Sequence, residues 1–161
     1  MHVLPNYSKC FICGEKNPKG LNLRFVAEDG KVKIKGRLDE AAMGFRGVVH
    51  GGIISALLDE TMGWAATMIK HRFCVCADLS VRFTEPLPVG TRVTVTGWLT
   101  RDRGRVWETE GDLADAHGNV YARARGKYMP MSDEASREVD AYLSYPEGET
   151  SILEGSDDEP G

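Results

Sequence analysis

The segment GVVHGGIISALLDETMGWAATMI, residues 47–69, decides the fold. After the two glycines it contains no proline, and Ala, Leu, Met and Ile are frequent. We therefore predict a helix over residues 52–69, about 27 Å long at 1.5 Å per residue. Its apolar residues occupy nearly all sides, which indicates a helix buried by other elements. Asp59 is the exception, a carboxylate two turns into this helix.

The segments on either side of this helix predict an antiparallel sheet. Before the helix, Asp29-Gly30 separates two alternating runs, which is the pattern of a β-hairpin. After it, four alternating segments run from residue 73 to residue 131, separated by turns that contain glycine or proline. The sequence therefore predicts an α+β architecture, with a curved six-stranded antiparallel sheet wrapped around one long central helix.

Length and charge predict how the chain is divided. A chain of 161 residues favours one domain, which we place at residues 1–131, with an irregular segment at residues 1–20. Residues 132–161 carry ten acidic residues and one basic residue, and we predict an acidic, flexible tail with one possible helical segment. Residues 1–131 carry 19 basic and 14 acidic residues, a net charge of +5. This weak, dispersed charge suits a polyanionic small ligand and predicts no nucleic-acid partner.

Hydropathy and cysteine usage predict the environment of the protein. No stretch approaches about 18 uncharged apolar residues, so we predict no membrane span. Residues 1–11 lack the apolar core of a secretion signal, which favours a cytoplasmic location and reduced thiols. Cys10-x-x-Cys13 and Cys74-x-Cys76 would have to converge to hold zinc, and the second spacing is unusual for a zinc knuckle. We predict no metal and no other cofactor, although metal binding by the cysteines stays open.

One motif and three further segments carry a family resemblance. His50-Gly51-Gly52 is followed by Asp59 nine positions after the histidine, and the motif is accompanied in order by residues 10–25 (CFICGEKNPKGLNLRF), 77–90 (ADLSVRFTEPLPVG) and 122–131 (ARARGKYMPM). With these segments the chain resembles the hot-dog fold acyl-CoA thioesterases of the phenylacetate-degradation (PaaI-like) type. The resemblance covers about residues 10–131. It implies hydrolysis of an acyl-CoA to free acid and coenzyme A, in a homodimer or tetramer whose sites lie between subunits.

The resemblance also assigns roles to the residues of the motif. A carboxylate in an apolar helix is either paired with a partner or lines a wet cleft. By resemblance Asp59 acts as a general base on water or as a nucleophile that forms a mixed anhydride. Gly51 and Gly52 lie where helix N–H groups are free, and the resemblance makes the Gly51 N–H the donor to a thioester oxyanion, with Gly52 contacting substrate. His50 supports the site beside the thioester sulfur or orients the loop.

Two positions depart from the family pattern, and two basic residues extend the predicted site. Many relatives carry Asn where this chain has Gly44, and Ser or Thr where it has Cys76, which we assign to substrate binding. Arg123 and Arg125 share one strand face and are expected to meet coenzyme A phosphates, with a merely solvated face as the alternative. Glu60 is expected to face away from Asp59, because one residue turns a helix by about 100°.

The departures keep other functions open. One alternative is a non-catalytic module that binds or senses acyl-CoA on the same fold. A hot-dog dehydratase is a further alternative, and it requires a differently placed histidine. The acyl group is not determined, although four apolar residues near the motif suggest an apolar or aryl chain: Met43, Phe45, Met62 and Trp64.

Overall fold

A computed structural model describes residues 1–155 of the chain. In chain order its strands and helices are β1 (His2–Val3), β2 (Phe25–Glu28), β3 (Lys31–Arg37), α1 (Gly51–Lys70), β4 (Cys74–Phe83), β5 (Arg92–Asp102), β6 (Trp107–Asp115), β7 (Val120–Pro130) and α2 (Asp133–Tyr142), with a single turn of 3₁₀ helix at Glu40–Ala42. Within the described residues, neither α-helix is long and apolar enough to cross a membrane.

The strands form one antiparallel sheet in the order β1-β2-β3-β5-β6-β7-β4. The predicted sheet is confirmed, with seven strands rather than six because His2–Val3 adds a two-residue strand beside β2. Such a short strand carries no alternating pattern that a sequence could reveal. The predicted hairpin is also present, since Asp29 and Gly30 both have positive φ (52° and 70°), as a two-residue type I′ turn requires.

Helix α1 packs one face on the sheet and leaves the other partly open. Most of its buried residues recur at three- and four-residue spacing: Ile54, Leu57, Leu58, Thr61, Met62, Ala65, Ala66 and Thr67. The expectation of burial on all sides is therefore wrong for the single chain. The helix approaches the sheet closely at the paired Gly97 and Gly111, where a Cβ on Gly97 would lie 2.9 Å from the Thr61 carbonyl oxygen. Because these glycines lack side chains, α1 lies directly on the middle of the sheet.

The C-terminal segment has structure beyond the predicted domain boundary. Ser132 caps α2 by accepting a hydrogen bond from the Ala135 N–H. After α2 the chain pairs with the N-terminal segment at Asn6 and Ser144, and Ile152 is buried. The helical segment predicted within the tail is present as α2, and packing contacts continue to residue 155, whereas the sequence predicts a flexible tail. The acidic end, residues 156–161, lies outside the described residues.

Candidate active site

The open face of α1 borders a cleft of about 370 Å³. The N-terminal loop, the start of β4 and the end of β7 complete its walls. The lining residues are Phe11, Ile12, Ala56, Asp59, Glu60, Gly63, Trp64, Thr67, Phe73, Cys74, Cys76 and Tyr128. The cleft is thus an open, partly apolar groove that also contains the Asp59 and Glu60 carboxylates, a mixture found in small-molecule sites.

Of the apolar residues suggested as acyl contacts, only one lines this cleft. Trp64 does so, whereas Met62 is fully buried in the core and Phe45 is 89% exposed outside it. Met43 lies outside the cleft as well. The suggestion fails for Met62 because the helix turns that side chain towards the sheet, where it meets Gly111.

Asp59 is held by a buried tyrosine. The Tyr128 hydroxyl, on β7, donates to Asp59 Oδ1 at 2.9 Å and also lies 2.8 Å from the Asp59 carbonyl oxygen. Tyr128 itself is only 2% exposed. Burial and the Asp59 carboxylate raise the pKa of the Tyr128 phenol, so it stays protonated and keeps donating. One carboxylate oxygen is therefore fixed by the protein.

Sequence reasoning did not identify Tyr128. The alternation of β7 carried a signal for it, since Ala122, Ala124 and Gly126 share the face of Tyr128. The three small residues leave space between the strand and the helix, and the Tyr128 ring fills that space. A Cβ on Gly63 would lie 3.3 Å from that ring, so the helix also has a glycine where the tyrosine passes.

Cys76 lies beside Asp59 because β4 contains a bulge. The register with β7 shifts between Cys76 and Asp78, leaving Ala77 unpaired. The Cys76 thiol thereby faces the cleft, and desolvation together with the Asp59 carboxylate raises its pKa to about 11. Cys76 is consequently a protonated thiol at neutral pH, able to donate a weak hydrogen bond where many relatives carry a hydroxyl.

The start of α1 leaves one backbone donor free. His50 is the N-cap, and its Nδ1 accepts a hydrogen bond from the Gly52 N–H at 2.8 Å. The His50 carbonyl accepts from Ile53 and Ile54. Among residues 1–155, the Gly51 N–H has no acceptor. Of the first N–H groups of the helix, it is the one available to a ligand, at the positive end of the helix dipole.

His50 is an exposed helix cap in the single chain. Because Nδ1 accepts from Gly52, it carries no proton, and a neutral ring carries its proton on Nε2. Gly52 is required by this contact, since a Cβ there would lie 2.9 Å from His50 Nδ1. Gly44 has a similar role, because a Cβ there would lie 3.0 Å from His50 Cα. A larger residue at position 44 would require His50 to shift slightly.

The predicted catalytic residues do not meet within one chain. Gly51 and Asp59 are eight residues apart on one straight helix, which separates them by about 12 Å along its axis. Neither His50 nor Gly51 lines the cleft that contains Asp59. In one site, the attacking water must contact the Asp59 carboxylate while the carbonyl oxygen of the same thioester contacts the Gly51 N–H. A separation of about 12 Å between the two residues is too long for that.

Arg123 and Arg125 lie on the other face of the sheet. Along β7 their neighbours Ala122 and Ala124 point to the helix, while both arginines are exposed. They line a cavity of about 460 Å³ on the outer surface, and Arg125 pairs with Glu110 at 3.3 Å. The structure does not bring them to Asp59 in the same chain, and their contact with coenzyme A phosphates stays a prediction.

Glu60 faces away from Asp59, towards the N-terminal loop. Its carboxylate oxygens lie 3.3 and 3.4 Å from Cys10 Sγ, and Oε1 lies 3.6 Å from Cys13 Sγ. Burial and the neighbouring Cys10 raise the pKa of Glu60 to about 8. The hydrogen bond that Cys13 donates lowers the pKa of Cys10 to about 5 and raises that of Cys13 itself. This cluster of acidic groups lies one helix residue from Asp59.

A long helix on a curved antiparallel sheet, with a carboxylate cleft along its open face, defines the chain as a hot-dog fold protein. Residues 46–122 match the family model of the thioesterase superfamily. The resemblance found in the sequence is thereby confirmed at the level of fold and superfamily.

Individual relatives agree with this assignment. A protein of Saccharolobus solfataricus named "Putative esterase" is 35% identical over 83 residues, which is 51% of this chain and 59% of that protein. A crystal structure described as a thioesterase superfamily protein is 29% identical, with a TM-score of 0.71 over 76% of this chain and 60% of the other. The chain thus spans about three fifths of the length of both.

Two more distant structures share the fold. The Escherichia coli PaaI protein from the phenylacetic acid degradation operon is 16% identical, with a TM-score of 0.64 over 70% of this chain and 81% of that one. A Streptococcus mutans protein bound to acetyl-CoA is 18% identical, with a TM-score of 0.63 over 68% of this chain and 89% of that one. At these identities the likeness concerns the fold alone.

Proposed function

We propose that the chain hydrolyses an acyl-CoA thioester to the free acid and coenzyme A, in a site built by two copies of the chain. The observation that carries the proposal is the Asp59 carboxylate, held by Tyr128 through one oxygen at the wall of an apolar cleft. The superfamily match and the acetyl-CoA bound to the Streptococcus mutans protein support an acyl-CoA as the ligand.

The chemistry needs two groups of this chain. As a general base, Asp59 takes a proton from water through the oxygen that Tyr128 does not bond, while the water attacks the thioester carbonyl carbon. The carbonyl oxygen becomes negative and accepts a hydrogen bond from the Gly51 N–H, a contribution of about 3 kcal/mol for a typical oxyanion donor. Collapse of the adduct breaks the carbon–sulfur bond and releases coenzyme A as a thiolate, with the acid as the other product. As a nucleophile, Asp59 attacks the carbonyl itself, and water then cleaves the mixed anhydride.

The exposed edge of the sheet supports a two-chain site. Within residues 1–155, β4 pairs only with β7, and Val75 and Phe83 are 50% and 51% exposed on it. One end of β4 brings Cys76 to Asp59, and the other brings Phe83 to Gly51, where a Cβ would lie 3.3 Å from the Phe83 ring. If β4 pairs antiparallel with β4 of a second chain, the Cys76 end of one strand lies beside the Phe83 end of the other. The partner's Gly51 then lies beside the Asp59 of the first chain.

Free-thiol release from a panel of short, medium, long and aryl acyl-CoAs tests this function. We expect wild type to turn over and Asp59→Asn to lose about a hundredfold or more in kcat, the contribution of a catalytic base. Asp59→Asn keeps the shape of the side chain and can still accept the Tyr128 hydrogen bond. A wild-type protein that binds coenzyme A thioesters without turnover would refute the hydrolase and favour the binding module.

The two-chain arrangement has its own test. Asp59→Asn and a variant that lacks the Gly51 N–H are each expected to be inactive as homodimers. A heterodimer of the two contains one intact site, so random mixing on co-expression should restore about a quarter of wild-type activity. No recovery, with heterodimers confirmed by mass, would place both groups in one chain and contradict the proposal.

A further inference from the structure

We propose that Cys10, Cys13 and Glu60 form a zinc-binding site that fastens the N-terminal loop to the central helix. The three ligand atoms all lie within 4.8 Å of one another. They come from two distant parts of the sequence, since Glu60 follows Cys10 by 50 residues and Cys13 by 47. The argument for this site does not depend on the proposed function.

The distances fit one tetrahedral ion. With a zinc–sulfur bond of about 2.3 Å and a zinc–oxygen bond of about 2.0 Å, a tetrahedral angle separates sulfur from oxygen by about 3.5 Å. Glu60 oxygens lie 3.3 and 3.4 Å from Cys10 Sγ and 3.6 Å from Cys13 Sγ. A central ion can therefore contact both thiolates and the carboxylate with only small adjustments of the side chains.

The loop holds its two cysteines in place through the backbone. The Gly14 N–H donates to the Cys10 carbonyl at 2.9 Å, and a Cβ on Gly14 would lie 2.5 Å from Cys10 backbone atoms. The Cys13 carbonyl accepts from Asn6 at 3.1 Å and from Arg24. The turn is thus closed tightly around the pair, which lowers the cost of ordering the ligands when an ion binds.

One backbone donor is directed at a ligand sulfur. The Ile12 N–H lies 3.3 Å from Cys10 Sγ, and an N–H donor at a sulfur favours its thiolate form. Cys13 is 2% exposed, so the second sulfur is shielded from water. Without an ion, three acidic side chains share this half-buried space, and their negative charges cannot all be present together.

The donor set selects the metal. Two thiolates and one carboxylate suit zinc, whereas magnesium and calcium take oxygen ligands. Binding sends the thiol protons to solvent and involves no oxidation. Three protein ligands leave the fourth tetrahedral position for water, and Glu60 lies on the wall of the same cleft as Asp59.

Metal content of the full chain tests the site directly. Purified without chelators and without an affinity tag, the protein should contain about one zinc per chain by mass spectrometry of the elements. Exchange with Co²⁺ should give visible bands of tetrahedral cobalt and a near-ultraviolet thiolate-to-cobalt band. Removal of the ion should lower Tm by several degrees, because the ion binds the folded state alone.

Variants assign the ligands. Cys10→Ser and Cys13→Ser should each lose at least half of the thiolate-to-cobalt intensity, and Glu60→Gln should keep that band but weaken cobalt binding at least tenfold. Cys76→Ser is the matched control and should bind cobalt as wild type does. Glu60→Gln preserves size and leaves the loop untouched, so it decides the question even where a cysteine variant does not fold.

Three results would overturn the proposal. The first is a wild-type protein that holds far less than one metal per chain and shows no thiolate-to-cobalt band. The second is cobalt binding that is unchanged in Glu60→Gln. The third is a Cys10–Cys13 disulfide that forms even when the protein is purified under reducing conditions. All these measurements are made without substrate. A failure here is therefore distinct from a failure of the hydrolase.

Discussion

Removal of one hydroxyl group, in Tyr128→Phe, tests how Asp59 is positioned. The phenylalanine ring fills the same space between Gly63 and Gly126, so the core keeps its packing. The substitution deletes the hydrogen bond to Asp59 Oδ1 at 2.9 Å. It leaves every other group of the cleft in place, and Asp59 keeps its charge but loses its fixed orientation.

The size of the effect follows from the kind of bond. A hydrogen bond to a charged group contributes about 1.5–3 kcal/mol, and each 1.4 kcal/mol corresponds to a tenfold change in rate. We expect kcat to fall about 10- to 100-fold, with little change in the KM for acyl-CoA, because Tyr128 is 2% exposed and its hydroxyl is bonded to Asp59. The loss of a buried bond should also lower stability by about 1 kcal/mol, or about 2–4 °C in Tm for a chain of this size.

Steady-state thiol release from the best acyl-CoA, with a thermal melt of each variant, measures both effects. Tyr121→Phe is the matched control, since Tyr121 is on the same strand and donates to Asp115 Oδ2 at 3.2 Å, away from the cleft. It should change kcat by less than about twofold. Both substitutions remove a hydroxyl that donates to an aspartate carboxylate, and only that of Tyr128 lies at Asp59.

A double-mutant cycle decides whether Tyr128 acts through Asp59. If it does, Tyr128→Phe added to Asp59→Asn should change kcat by less than about threefold, although alone it costs 10- to 100-fold. Equal losses in both backgrounds would show that the tyrosine acts on something other than Asp59. Unchanged kcat in Tyr128→Phe alone would refute the positioning role outright.

Three further predictions concern the helix start, Cys76 and the sheet. Gly51→Pro removes the candidate oxyanion N–H at the first helical position, where proline is tolerated. It should lower kcat about 100- to 1,000-fold in the thiol-release assay. Gly51→Ala keeps the N–H and should lower kcat far less. Cys76, with a pKa of about 11, should be alkylated at pH 8 about a hundredfold more slowly than a thiol of pKa 9. The alkylation rate, followed by peptide mass spectrometry, should rise up to about pH 11. Asp59→Asn should increase the rate. A rate equal to that of an ordinary thiol in both proteins would contradict the contact between Cys76 and Asp59. Gly97→Ala, whose Cβ would lie 2.9 Å from the Thr61 carbonyl oxygen, should lower the free energy of unfolding by about 1–3 kcal/mol in denaturant titration, and an unchanged midpoint would show that α1 does not lie this close to β5.

Local patterns in the sequence were sufficient for most of the fold. The Asp29-Gly30 turn, the proline-free helix and the alternating runs each depend on neighbours in the chain, and all appear in the structure. Which β4 side chains face the helix is not determined by residues close in the sequence alone. Alternation alone predicts one shared face for Val75, Ala77 and Leu79, whereas the structure has a bulge after Cys76 and Val75 is exposed. Such a bulge is fixed by the register with β7, which no single run of residues contains.

The candidate site was only partly predictable for a related reason. The family motif identifies His50, Gly51 and Asp59, because these residues lie close together in the sequence. Tyr128 is 69 residues from Asp59, and the packing of β7 under the helix is what joins them. The predicted roles of Arg123 and Arg125 followed from strand periodicity, which establishes that they share a face but not that this face lies opposite the helix.

Asp59 and Glu60 show how one helix turn can serve two separate chemistries. Consecutive helical residues diverge by about 100°, so the first carboxylate meets Tyr128 and Cys76 while the second meets Cys10 and Cys13. The same N-terminal loop supplies Phe11 and Ile12 to the cleft wall. An ion bound by Glu60 would therefore fix both the loop and the helix turn that carries Asp59. Loss of metal should then alter acyl-chain preference, through Phe11 and Ile12, more than it alters the proton transfer made by Asp59.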